Sequence, residues 1–388
     1  MGYQNQIMIA TCLKRVLYLL VLIISQVKGQ GTDPQVNVTF ITDAIAKGAV
    51  CLDGSPGAYY FAQGFEDGVD NWIVYLPGGA WCNSKDDCLR RSKSGGADGL
   101  GSSKNAPPKT LFPIQSPNKS INPDFYNWNK VYIRYCDGAS FMADVEAFDP
   151  ETQLYLRGRR IFISVLEELM ATKGMANAAN ALLVGDSAGG LATILNCDHF
   201  SSLLPMARRV KCISDSGFFI QAKDLPEDNA RRYFASIAAF HELAEFLPES
   251  CTQRMDPGLC LFPENVVDDI QTPLFLLNSD FDRYQADRPL LLRLNLAGCA
   301  SSGRSAITCF GRRHLSTRLS PGAVLFPPPT SSPDSQGISA AAAATLSKLG
   351  DRSPSGSGVA PAWSPSTGVA AARPVVNADC CCFAGVAV

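Results

Sequence analysis

The chain has 388 residues, 46% of them hydrophobic and 18% charged, with a formal net charge of -2. That is enough apolar material for a substantial core in one large domain or two smaller ones. The near-neutral balance weighs against nucleic acid or an anionic membrane surface as partner.

In chain order, Lys14 and Arg15 come first, followed by nine apolar residues at 16–24 and then by small or polar residues through Gly29. Charged, apolar and small-residue zones in that order predict a secretory signal peptide over residues 1–29. The apolar run is too short for a comfortable bilayer span, so the protein is expected off the membrane once the signal is cleaved. Secretion implies an oxidising compartment, and of the 14 cysteines in the sequence all but Cys12, which lies in the signal, are then candidates for disulfides. Cys82 with Cys88 and Cys251 with Cys260 are reasonable pairs, while spacing leaves the other pairings open. No C-x-x-C pair or nearby histidine cluster argues for a metal. Asn37-Val38-Thr39 and Asn118-Lys119-Ser120 fit the glycosylation acceptor pattern.

The globular part is expected over residues 30–290. Residues 72–76 form an apolar run ended by Pro77-Gly78-Gly79, and residues 92–103 read as a Gly/Ser-rich surface loop. Residues 130–135 are a second strand. Residues 158–173 carry Ile161, Val165 and Leu169 at helical spacing. Residues 181–184, 210–213 and 273–277 give three more strands. Short apolar strands alternating with helices predict an α/β fold with a mostly parallel sheet flanked by helices. Residues 291–388 differ in kind. They carry eight Lys or Arg against three Asp, a proline triplet at 327–329 and an alanine run at 340–344, and from residue 315 only Phe326, Trp363 and Phe383 as aromatics. Such a segment buries too little apolar surface to offset its ordering entropy, and a disordered tail is expected.

Gly185-Asp186-Ser187-Ala188-Gly189 is a G-x-S-x-G motif between a predicted strand and the apolar residues 191–195. This is the context of the nucleophile elbow of an α/β-hydrolase, with Ser187 as nucleophile. A serine hydroxyl also needs a base and an oxyanion hole. Gly78-Gly79-Ala80-Trp81 follows an early strand, as the loop donating backbone N–H groups to the oxyanion does. Gly79, Ala80 and Ala188 are the expected donors. The acid follows a late strand in this fold, which leaves Asp280 and Asp282 open. The sequence has three histidines. His199 reads as a helix-end residue and His241 as a partly buried helix residue, so chain order leaves His314 as the base.

Several segments then point one way. They are Tyr75-Leu76-Pro77-Gly78-Gly79-Ala80-Trp81-Cys82, Arg134-Tyr135-Cys136-Asp137-Gly138-Ala139-Ser140-Phe141, Gly185-Asp186-Ser187-Ala188-Gly189-Gly190, Asp215-Ser216-Gly217-Phe218-Phe219, and the run from Leu247 through Cys251, Cys260 and Pro263 to Asn278. In these motifs the sequence resembles plant pectin acetylesterases, relatives of the Notum-type carboxylesterases, over roughly residues 50–285. The resemblance implies a secreted carboxylic-ester hydrolase of the cell wall. Its partner would be acetylated pectin or a similar polysaccharide, with no metal or organic cofactor, and the protein would be a monomer. The family's acid segment, L-N-x-x-Y-D-x-W-Q, places the acid on Asp282 when laid on residues 277–285; Asp137 and Asp186 are read as structural. The resemblance stops near Gln285, and the family's S-C-F-A-H base segment is echoed only loosely by Cys309-Phe310 before His314. Two alternatives follow from that departure, an impaired relative that binds polysaccharide without hydrolysing it and a truncated gene product; a third, a Notum-like deacylase of another ester, turns on the depth and polarity of the acyl pocket.

Overall fold

The apolar runs become strands. The computed structural model describes residues 33–94, 99–146, 149–221 and 229–279, Asp282, Gln285, and the backbone of residues 324–325 and 383–387. Its main sheet is built from β1 (Val38–Phe40), β2 (Ala58–Ala62), β3 (Asn71–Leu76), β4 (Asn129–Ile133), β5 (Asn180–Asp186), β6 (Arg209–Asp215), β7 (Leu274–Ser279), β8 (Val324–Leu325) and β9 (Phe383–Ala387). The helices that matter below are α1 (Ala44–Lys47), α2 (Lys85–Ser92), α3 (Gly158–Thr172), α4 (Ala188–Ser202), α5 (Asn229–Phe240) and α6 (Glu249–Thr252).

Strand order across the sheet is β8-β9-β7-β6-β5-β3-β4-β2-β1. The five strands predicted from sequence, β3 to β7, are its parallel centre. β1 and β2 extend it antiparallel on one side, and sequence reading named neither. On the other side the backbone of β9 runs antiparallel to β7 and that of β8 antiparallel to β9. Beyond these two segments, the expectations for the leader and the tail fall on residues outside the described ones.

Side chains alternate across the sheet. Trp72, Val74, Leu76 and Leu183 join one core cluster, with Phe162, Val165 and Leu169 of α3 and Leu191 and Ile194 of α4. Ile73, Tyr75, Leu182, Val184, Ile213, Phe275 and Leu277 join a second on the opposite face. Burial on both faces is why these strands read as continuous apolar runs rather than alternating ones. α3 buries Ile161, Val165 and Leu169 as their spacing predicts, and Phe162 and Leu166 beside them.

Register sets the position of everything that follows. Leu76 lies opposite Gly185, Asp186 opposite Asp215, and Asp215 opposite Leu277. The loops after β3, β5, β6 and β7 therefore leave the sheet at one edge, the carboxyl end of the parallel strands. α2 begins just after the first of these loops. Its start is fixed by Ser84, whose side chain accepts the Asp87 N–H, with Asp86 and Asp87 in the first turn and Arg90 and Arg91 in the last.

Residues 99–103 depart from the surface loop expected over residues 92–103. Ser102 and Ser103 are buried, because Arg134 crosses beneath them. Its Nε donates to the Ser102 carbonyl at 3.0 Å and its Nη2 to the Gly99 carbonyl at 3.1 Å. Buried loop carbonyls are thereby satisfied without water. Among the described residues no helix is long and apolar enough to cross a membrane.

Eight cysteines form four disulfides: Cys51–Cys136, Cys82–Cys88, Cys197–Cys212 and Cys251–Cys260. Two are the pairs that sequence proximity suggests. Cys197–Cys212 instead ties α4 to β6, and Cys51–Cys136 closes 85 residues. Peptide mapping of unreduced protein is expected to recover these four pairs. Replacing Cys197 and Cys212 together by alanine, which opens a 15-residue separation, is expected to cost about 3 kcal/mol in denaturant unfolding.

Candidate active site

Ser187 stands between β5 and α4 with φ 50° and ψ -120°. A non-glycine residue there is strained and persists only when its surroundings hold it. They do: its N–H donates to the Asp215 carbonyl at 2.8 Å, and its carbonyl accepts the Leu191 N–H at 3.0 Å. The flanking glycines are required by close approach. A Cβ on Gly189 would lie 2.0 Å from the Leu76 carbonyl oxygen, and one on Gly185 would lie 2.2 Å from the Gly189 carbonyl oxygen. Residues 188–194 are all buried, so the helix behind the serine is fixed in the core. Ser187 itself is half-buried.

The loop after β3 packs directly on the serine. A Cβ on Gly78 would come within 2.8 Å of Ser187 Cβ. Asp186 ties the two together: its Oδ1 accepts the Gly78 N–H at 2.9 Å and the Tyr75 hydroxyl at 3.0 Å. Burial pushes the Asp186 carboxyl up, and those two bonds pull against it. Beyond Gly78 the chain turns sharply, with Ala80 at φ 53°. Among the described residues the N–H groups of Gly79, Ala80 and Ala188 meet no acceptor. Cys82 ends the loop, pinned by its disulfide to Cys88 and by its N–H to the Gly138 carbonyl at 3.0 Å.

Asp282 follows β7 at the same edge of the sheet and is held by Gln285, whose Nε2 donates to Asp282 Oδ2 at 2.7 Å. Gln285 is fixed in turn to the strand exit after β6. It donates to the Phe218 carbonyl at 3.3 Å and accepts the Ile220 N–H at 3.0 Å. Asn278 grips the same segment through the Phe218 N–H at 3.0 Å. Sequence reasoning gave Gln285 and Asn278 no role; their only signal was membership of the segment carrying Asp282. Asp280 and His314 lie outside the described residues.

Neither of the other histidines reaches Ser187 as a base. His199 lies twelve residues along α4, roughly 18 Å at about 1.5 Å per residue. His241 is fully buried just past α5, rather than partly buried within it. Its Nε2 lies 2.7 Å from the Cys82 carbonyl oxygen, so that nitrogen carries the proton. Burial lowers its pKa to about 4. The Cys82 and Cys88 sulfurs lie within 4.0 Å of His241 Nε2, but both are committed to their disulfide and offer no thiolate.

The pectinacetylesterase family profile matches residues 30–301. The chain belongs to this family. Pectin acetylesterase 11 of Arabidopsis thaliana is 48% identical over 252 residues, 64% of this chain and 63% of that relative. Pectin acetylesterase 7 of the same plant is 46% identical over 276 residues, 71% of this chain and 68% of the relative. The match thus spans about two thirds of those relatives' lengths. Among solved structures, the Wnt deacylase Notum from Drosophila superposes with a TM-score of 0.57 at 25% identity, covering 65% of this chain and 73% of Notum. A family member with this neighbour has the α/β-hydrolase fold, as the strand-elbow-helix pattern predicted.

Two buried carboxyls brace the site from below. Asp215 is pushed up to about 6, first by burial and further by the like charge of Asp186, against the Ser216 hydroxyl bond. Asp137 is also pushed up to about 6 by burial, against the N–H groups of Phe141 and Ala139 that its Oδ2 accepts at 3.0 Å. A raised folded-state pKa favours the fold while the group is protonated, and that contribution is lost as pH rises through about 6. Asp137→Asn is therefore expected to match the wild type in thermal midpoint near pH 4 and to gain on it up to pH 7. Thermal scans of both proteins across that range check the sign.

Proposed function

We propose that this protein is a secreted serine carboxylesterase that removes O-acetyl groups from cell-wall pectin. The observation that carries the reading is Ser187, held at positive φ with its Cβ against a loop in which the Gly79 and Ala80 N–H groups meet no acceptor among the described residues. Family membership supplies the substrate: the two Arabidopsis relatives are named pectin acetylesterases. The four disulfides and the N-terminal pattern support an extracellular, cell-wall location.

In the proposed mechanism Ser187 Oγ attacks the acetyl carbonyl and gives its proton to His314, which Asp282 orients. Negative charge gathers on the carbonyl oxygen, where the N–H groups of Gly79, Ala80 and Ala188 receive it. The tetrahedral intermediate collapses as His314 returns the proton to the sugar oxygen, releasing the deacetylated polysaccharide and leaving acetyl-Ser187. Water, deprotonated by His314, attacks this ester. A second tetrahedral intermediate collapses as His314 returns that proton to Ser187 Oγ, which regenerates the free serine, and acetate leaves.

Acetate release from acetylated pectin by the full-length protein, expressed through a secretory pathway, tests the reading. Ser187→Ala and His314→Ala are each expected to lower kcat by about 10^3-fold or more, and Asp282→Asn by about 10^2-fold or more. Undiminished hydrolysis by Ser187→Ala would refute the serine mechanism. A wild type that stays folded yet releases no acetate would refute the activity.

A further inference from the structure

The loop after β3 is gripped by its carbonyls. Gly79 O accepts from Arg91 Nη1 at 3.0 Å. Ala80 O accepts the Tyr135 hydroxyl, and Trp81 O the Tyr233 hydroxyl at 3.2 Å. Cys82 O accepts from His241 Nε2. Four successive carbonyls are thus held by four side chains from different parts of the chain. The last two peptide units are also engaged through their N–H groups, Cys82 to the Gly138 carbonyl and Asn83 to Asp87 Oδ2 at 3.3 Å. They are anchors. The two units before them, Gly79–Ala80 and Ala80–Trp81, differ: their carbonyls are held, by Arg91 and Tyr135, and their N–H groups meet no acceptor among the described residues.

In a trans peptide the C=O and N–H point in opposite directions. A donor fixed on the Gly79 carbonyl therefore aims the Ala80 N–H away from Arg91. A cationic donor also makes the stronger, charge-assisted bond, and it polarises the peptide so that the far N–H donates better. Arg91 acts on the next unit as well, since its Nη1 lies 3.4 Å from the Tyr135 hydroxyl oxygen. Arginine only donates, so the tyrosine proton is left for the Ala80 carbonyl. Burial pushes the Tyr135 phenol well above its ordinary range, which keeps that proton in place. Arg91 makes no ion pair with any carboxylate among the described residues. Its place in the last turn of α2 follows from the Ser84 cap, and the Cys82–Cys88 disulfide fixes α2 to the loop it serves.

We propose that Arg91 is a positioning residue of the esterase reaction, aiming and polarising the Ala80 N–H toward the oxyanion directly, and steadying the next peptide through Tyr135. This rests on the reading of Ser187 as nucleophile with Ala80 as an oxyanion donor. The charge on Arg91 is then used in the transition state although it touches neither substrate nor nucleophile.

The test uses the secreted full-length protein with p-nitrophenyl acetate, beside fluorophosphonate labelling of Ser187 read by mass. Arg91→Ala and Arg91→Gln are expected to lower kcat by about 10- to 100-fold, less than the loss of an oxyanion donor itself, with KM within about threefold of wild type. Labelling should slow by a similar factor, because the phosphonyl oxygen occupies the same hole. Millimolar guanidinium chloride should restore part of the Arg91→Ala rate and leave wild type unchanged. Tyr135→Phe should show a smaller loss with the same split. Equal changes in kcat and KM, a rate loss that follows a fall in thermal midpoint, or no rescue by guanidinium would overturn the proposal. Unaltered kinetics in the Arg91 variants beside an inactive Ser187→Ala would overturn this inference alone. Full activity and labelling in Ser187→Ala would overturn the reading beneath it.

Discussion

The site depends on one half-buried carboxyl group. Ser187 and the loop packed against it come from different strands, β5 and β3, and any chemistry between them needs both placed to within a fraction of an ångström. Asp186 makes that connection one residue before Ser187, by accepting the Gly78 N–H and the Tyr75 hydroxyl. The interior disfavours its charge, and that charge in turn pushes the Asp215 carboxyl up. What remains is a carboxyl whose bonds matter more than its charge. Backbone contacts at Gly78 and Gly189, which leave no room for a side chain, reinforce the same junction.

Around that junction the support is unequal. The serine and its helix are seated in a core closed on both faces of the sheet. The loop opposite is gripped from several directions. Asp282 is held differently, through Gln285 to the backbone after β6, so its position is relayed rather than built into a strand. A serine fixed by backbone geometry beside an aspartate fixed by a side-chain relay concentrates rigidity at the strand-to-helix turn.

Much of this was legible in the sequence, for identifiable reasons. Strands buried on both faces leave continuous apolar runs, so β3 to β7 could be read. The elbow could be read because a serine at positive φ between strand and helix demands small neighbours, and Gly185, Gly189 and Gly190 are those neighbours. β1 could not, being a three-residue edge strand partly open to solvent; β2, inside the sheet and buried over Ala58–Tyr60, offers only a five-residue apolar stretch. Residues 99–103 misled because composition does not reveal that Arg134 would supply donors to buried loop carbonyls. His241 looked like an ordinary helical residue; its contact is with Cys82, 159 positions earlier, and no local pattern encodes that. The same is true of Arg91, whose partner at Gly79 is a backbone atom and leaves no mark in residue type.

The spacing of the disulfides has a consequence for how the chain is made. Cys51 and Cys136 are separated by 85 residues, and Cys82 and Cys88 lie between them. A chain entering an oxidising compartment from its N-terminus exposes Cys51 to both of these long before Cys136 arrives. Closing the six-residue separation between Cys82 and Cys88 costs far less entropy than closing the 31 residues from Cys51 to Cys82. The short bridge thus withdraws both competitors and holds the long one open for its distant partner. The bond that pins the loop after β3 in the finished protein would then also limit mispairing of thiols wherever the chain folds under oxidising conditions.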